Sequence, residues 1–180
     1  MKKSKYVLVL AMSIFLISLI VGFIYGINNK YDVSEYVKTI DKSFLLINHL
    51  LVILLFFFST ISLIGTLICG FYIGFEGVCI GYVISEFFNT YGFKGVMYSL
   101  INITINKVLF LVILFYLFVV CVKYAKKVIS NMVGISTDYL IYLLKPLIKK
   151  YALIILFISI YDILNYFFAY KVLRYFTFML

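Results

Sequence analysis

The sequence is poor in charge, in proline and in histidine. Only 13% of its 180 residues are Asp, Glu, Lys or Arg, where a soluble domain carries about a quarter. With 66% hydrophobic residues and a mean hydropathy of +1.16, no single core of this size could hide the apolar surface from water. Pro146 is the only proline, and neither a low-complexity segment nor a long internal repeat is visible. The one histidine, His49, has no acid or nucleophile near it in sequence, so it reads as an interfacial residue rather than a catalytic base. HExxH, GxSxG and a phosphate-cradling glycine loop followed by lysine are all missing, and no soluble stretch is large enough to house an active site. The expectation is a non-enzyme with no catalytic, cofactor-binding or metal site. Cys69, Cys79 and Cys121 lie in apolar runs without pairing or metal-like spacing, and read as small buried hydrophobes.

Long apolar runs are what the chain has instead, and they predict an all-α polytopic membrane bundle in one domain, 1–180. The start, "MKKSKYVLVLAMSIFLISLIVGFIYG", has the basic head of a signal peptide. Its apolar stretch is too long for one and no small-x-small cleavage site follows, so a first span over 6–27 is expected. Residues 28–43 form a polar loop. The run 44–88 would measure about 67 Å as one helix, twice the hydrocarbon thickness. It must turn once, at "SLIGT" (62–66), where Gly65 can take a backbone conformation other residues avoid. This gives spans at 44–64 and 67–88. After the glycine-containing loop "NTYGFKG" (89–95), a fourth span over 96–122 begins with Ser99, Asn102, Thr104, Asn106 and Lys107, so its first half is expected to be irregular or buried in protein. The segment 123–151 is basic. Within it "STDYLIYLLKPLIKKY" reads as a short interfacial helix capped by Ser136 or Thr137, and a fifth span follows at 152–170. The net charge of +9 fits topology better than nucleic acid. Nine basic residues flank the spans on the side holding the N-terminus and six on the other, which predicts a cell-membrane protein with its N-terminus cytoplasmic and its C-terminus outside.

Span three carries a line of small residues: Thr66, Gly70, Gly74, Gly77, Gly81 and Ser85 share one helix face. In lipid, helices associate through close backbone packing, so this face is expected to hold another helix, of the same chain, of a partner or of a second copy. Three charges fall inside spans: Glu76, Lys107 and Asp162. Each costs at least ~2.5–3.5 kcal/mol to insert, so Lys107 is expected to pair with Glu76, Asp162 or both. Such a network either conducts protons or ions, or fixes the register of the helices.

The pattern across 64–124 resembles the stage II sporulation protein M family of integral membrane proteins. The matching residues are Gly65, the spaced Gly77 and Gly81, Asn89, the turn Gly92-aromatic-Lys94-Gly95, and Ser99. Leu67 and Ile105 stand where relatives often carry proline, and Glu76 where they show asparagine or lysine. The resemblance implies a membrane scaffold for sporulation or peptidoglycan remodelling (engulfment), with membrane lipid and membrane-anchored cell-wall hydrolases as its partners. The alternative from the residues is a small permease or transporter subunit using Glu76, Lys107 and Asp162.

Overall fold

The computed structural model describes residues 2–29, 45–60, 62–130 and 137–177. All regular structure among them is helical, in six helices: α1 (Lys2–Asn28), α2 (Leu46–Ser59), α3 (Leu63–Tyr91), α4 (Phe93–Asn106), α5 (Val108–Ser130) and α6 (Thr137–Thr177). Segments of α1, α3, α5 and α6 are long and apolar enough to cross a bilayer: 4–28, 64–91, 108–128 and 144–176. The surface agrees with this reading, since Phe71, Ile17, Phe58 and Leu153 are exposed while Glu76, Asp162, His49 and Ser99 are buried. This is a membrane protein, apolar outside with polar groups held within.

α1 and α3 make the most extensive helix pair. From the α3 side, a methyl group at Gly77 would sit 2.7 Å from the Phe15 carbonyl oxygen, and one at Gly81 would overlap the Leu19 carbonyl. From the α1 side, methyls at Gly22 and Gly26 would overlap the Val78 carbonyl and the Ser85 hydroxyl. The backbones therefore touch, as close packing in lipid requires. The side-chain amide of Asn89 locks the far end by donating to the Gly26 carbonyl at 3.0 Å.

α2 ends at Ser59 and α3 begins at Leu63, so the chain leaves α2 earlier than the sequence places the turn. The Thr60 amide and hydroxyl both return to the Phe56 carbonyl, at 3.0 and 2.7 Å. Gly65 lies within α3 in ordinary helical geometry rather than in a special backbone conformation. It is small because a methyl there would overlap the Ser59 carbonyl. α2 is consequently 14 residues long, about 21 Å, and falls short of the ~30 Å hydrocarbon layer that the expected span 44–64 was to cross. The loop expected at 89–95 shrinks to Gly92 alone. At φ 61° and ψ −141° this residue occupies a conformation open to glycine. Gly95 then lets α4 fold back across the Phe87 carbonyl.

The fourth span bends at Lys107 (φ −123°, ψ −30°), in the irregular region the polar residues predict. Hydrogen bonding continues through the bend, from the Lys107 amide to Ile103 at 2.8 Å and from the Leu111 amide to Lys107 at 2.9 Å. α6 is the largest departure. The interfacial helix and the fifth span are one helix of 41 residues with Pro146 inside it. The change from basic to apolar near residue 151 alters what surrounds the helix but holds no glycine or proline to break its backbone. The core lies between α2, α3, α5 and α6, around Ile53, Phe56, Ile73, Leu114, Leu117 and Ile158.

Candidate functional site: an intramembrane polar cluster

Around the bend at Lys107, polar side chains of α3, α4 and α6 meet. Glu76, on α3, receives the Lys107 ammonium at 3.0 and 3.2 Å and the Tyr72 hydroxyl at 2.8 Å. On the α6 side of the bend, the Tyr161 hydroxyl donates to the Ile105 carbonyl. Asn165 donates to Asn106 at 2.9 Å, and Asn106 to Asn102 at 2.6 Å. An irregular span in lipid is tolerated where neighbouring helices supply such partners.

Asp162 does not join Lys107. Both its carboxylate oxygens lie against His49 Nδ1, at 2.9 and 3.0 Å, so the ring N–H donates to the carboxylate and ties α2 to α6. The pair is buried, its side chains 3% and 1% exposed, and the His49 ring stacks on Phe110 at 3.9 Å. His49 Nε2 is buried without a hydrogen-bond partner among the described residues. The interfacial reading of His49 thus gives way to an interior one. The signal was available: His49, Ile53, Phe56 and Thr60 repeat at helical spacing and form the buried stripe of α2 and its turn.

At 3.0 Å and an effective dielectric constant of ~20, the Lys107–Glu76 attraction is roughly 5 kcal/mol. Inserting two charges costs about 5–7 kcal/mol. The two nearly cancel, so the pair adds little net stability. A cavity of about 180 Å³ opens beside it, lined by Glu76, Cys79, Asn102, Asn106 and Lys107, and the Lys107 side chain remains 31% exposed. Glu86, toward the other end of α3, is also buried, 2% exposed.

The glycine face divides in two. Gly77 and Gly81 lie directly against α1, and Gly74 meets Ser18. Gly70 has only Phe118 nearby, at an ordinary contact distance of 3.7 Å from where its Cβ would stand. There α1, α3 and α5 leave a groove of about 730 Å³, lined by Ser18, Thr66, Gly70, Phe71, Gly74 and Phe118 among others. α1 carries a reciprocal series at spacing four, Ser18, Gly22 and Gly26, which the sequence reading overlooked. Of the remaining motif residues, Lys94 is exposed, while Ser99 is fully buried and donates to the Val96 carbonyl at 2.8 Å. Among the described residues, no group of three or more His, Cys, Asp or Glu could hold a metal ion. No family model, curated protein or solved structure matches this chain.

Proposed function

We propose that the chain is a non-enzymatic membrane scaffold of a sporulation or peptidoglycan-remodelling complex, which recruits membrane-anchored wall hydrolases. In this reading the N-terminus is cytoplasmic and the C-terminus outside. The observation that carries it is the groove at Gly70 and Gly74. The α3 face that α1 fills at Gly77 and Gly81 continues, smooth and uncovered, toward Thr66. A single anchoring helix approaching there would meet backbone, which is how helices hold one another in lipid. The resemblance to stage II sporulation protein M supplies the partner class. Gly70→Leu fills the groove from a position with room for the added side chain. Hydrolases with peptidoglycan-cleaving activity are expected to co-purify with the wild type and to fall at least tenfold with this variant. Equal recovery would refute the scaffold reading.

A second reading, a small permease or transporter subunit, is favoured by the cavity beside Glu76 and Lys107. It predicts a liposome ion flux that disappears when both are replaced by methionine.

A further inference from the structure

The cavity beside Lys107 has an unequal supply of hydrogen-bonding groups. Its side-chain amides form a ladder that runs one way: Asn165 on α6 donates to Asn106, and Asn106 donates to Asn102. The ladder ends on the Asn102 carbonyl oxygen, so the Asn102 NH2 group has no acceptor among the described residues. Lys107 offers a further donor, since an ammonium carries three N–H groups and only two are given to the Glu76 carboxylate. Asn102 and Lys107 both line the cavity.

The matching acceptors are covered. Both Glu76 oxygens already accept from Lys107, and one also accepts from the Tyr72 hydroxyl. The ion pair is turned so that the Lys107 side chain is 31% exposed and the Glu76 side chain 7%. The cavity therefore meets a positive charge and free N–H groups, with the negative charge held behind them. Donors left unserved in an apolar layer are costly, and a group that accepts from them removes that cost. The remaining walls, Leu45, Ile80, Val83 and Ile103, are aliphatic. At about 180 Å³ the space slightly exceeds the ~150 Å³ of an apolar cavity that holds benzene, so it admits roughly six or seven non-hydrogen atoms.

We propose that this cavity binds a small aliphatic monocarboxylate, of about four or five carbons. Its carboxylate accepts from the Asn102 NH2 and the Lys107 ammonium, and its alkyl tail lies on the aliphatic walls, the usual division between orienting and burying groups in small-molecule sites. A carboxylate brings acceptor oxygens and a compensating charge together. Chloride brings no tail, and an amine would meet donors with donors. For transport this assignment rests on the permease reading; for binding it rests on the cavity walls alone.

The test is equilibrium dialysis of radiolabelled butanoate against the full chain in nanodiscs at about pH 8, where the acid is ionised, with empty nanodiscs subtracted. A single saturable site per chain is expected, and pentanoate should displace the label. Butanamide, the neutral isostere, and chloride are expected to displace it about tenfold less well, the amide for want of charge-assisted hydrogen bonds and chloride for want of a tail. Asn102→Asp keeps the oxygen that receives Asn106 and sets a second oxygen where the NH2 stood, so binding about tenfold weaker is expected from a chain that stays monodisperse. The wild-type comparison of acid with amide does not depend on that variant folding. Absence of a saturable site in the wild type, equal displacement by butanamide, or unchanged affinity in a monodisperse Asn102→Asp chain would overturn the proposal. Flux into liposomes is scored separately. Butanoate binding without any flux upholds the site and removes the permease reading, whereas flux of another ion without butanoate binding removes the site and keeps that reading.

Discussion

The contact between α1 and α3 can be tested with two substitutions that are chemically the same. A methyl group at Gly77 would stand 2.7 Å from the Phe15 carbonyl oxygen, whereas ordinary contact begins at 3.4 Å. α1 must therefore withdraw by about 0.7 Å, a gap too narrow for an acyl chain to fill. A gap of that size forfeits a quarter to a half of each ~0.1–0.2 kcal/mol atom-pair attraction, or about 1–5 kcal/mol over on the order of 50 pairs along the seam. Alanine returns about 1 kcal/mol of helix propensity over glycine. The net expectation for Gly77→Ala is a loss of about 2 kcal/mol. At Gly70 the same methyl sits at an ordinary 3.7 Å from Phe118, so Gly70→Ala keeps only the propensity term and is neutral or stabilising by up to ~1 kcal/mol. Unfolding of both variants in mixed micelles, followed by steric trapping or by thermal loss of the monodisperse species, gives the comparison. If both shift stability equally, or if Gly77→Ala is the more stable, α1 does not occupy the glycine face.

The buried ion pairs yield further expectations. Lys107→Met alone leaves Glu76 unpaired and should cost about 3–5 kcal/mol. Adding Glu76→Met should restore most of that loss in the same unfolding assay, and a double variant as damaged as the sum of the singles would show the two are not partners. Asp162→Leu and His49→Leu are expected to behave likewise, each harmful alone and nearly compensated together. A Lys107→Met variant rescued by Asp162→Leu would instead return Asp162 to Lys107. Tyr161→Phe removes the donor to the Ile105 carbonyl and should lower stability by about 1 kcal/mol, measured the same way.

The sequence made some of this legible and concealed the rest for physical reasons. Glu76 and Lys107 could be paired because consecutive antiparallel spans place them at matching depth. His49 and Asp162 could not, since they sit on helices 113 positions apart in the chain whose relative rotation depends on packing. A kinked fourth span followed from the polar residues before Lys107, but not the identity of its partners, Tyr161 and Asn165 on α6. Glycine proved the most ambiguous letter. At Gly92 it serves backbone conformation, while at Gly65, Gly77 and Gly81 it serves proximity, and only neighbouring atoms tell these apart. Continuity of α6 was hidden because hydropathy reports the surroundings of a helix and not whether its backbone breaks.

α6 has 41 residues, roughly 60 Å of helix. Along it Tyr151 joins Thr60 at 2.8 Å, Asp162 joins His49, Tyr161 joins Ile105 and Asn165 joins Asn106. From Pro146 onward these ties hold one continuous helix to its neighbours, so it is placed to act as an axle. A torque on Lys149 and Lys150 would be passed along it to Asp162, and through these ties to α2 and α4.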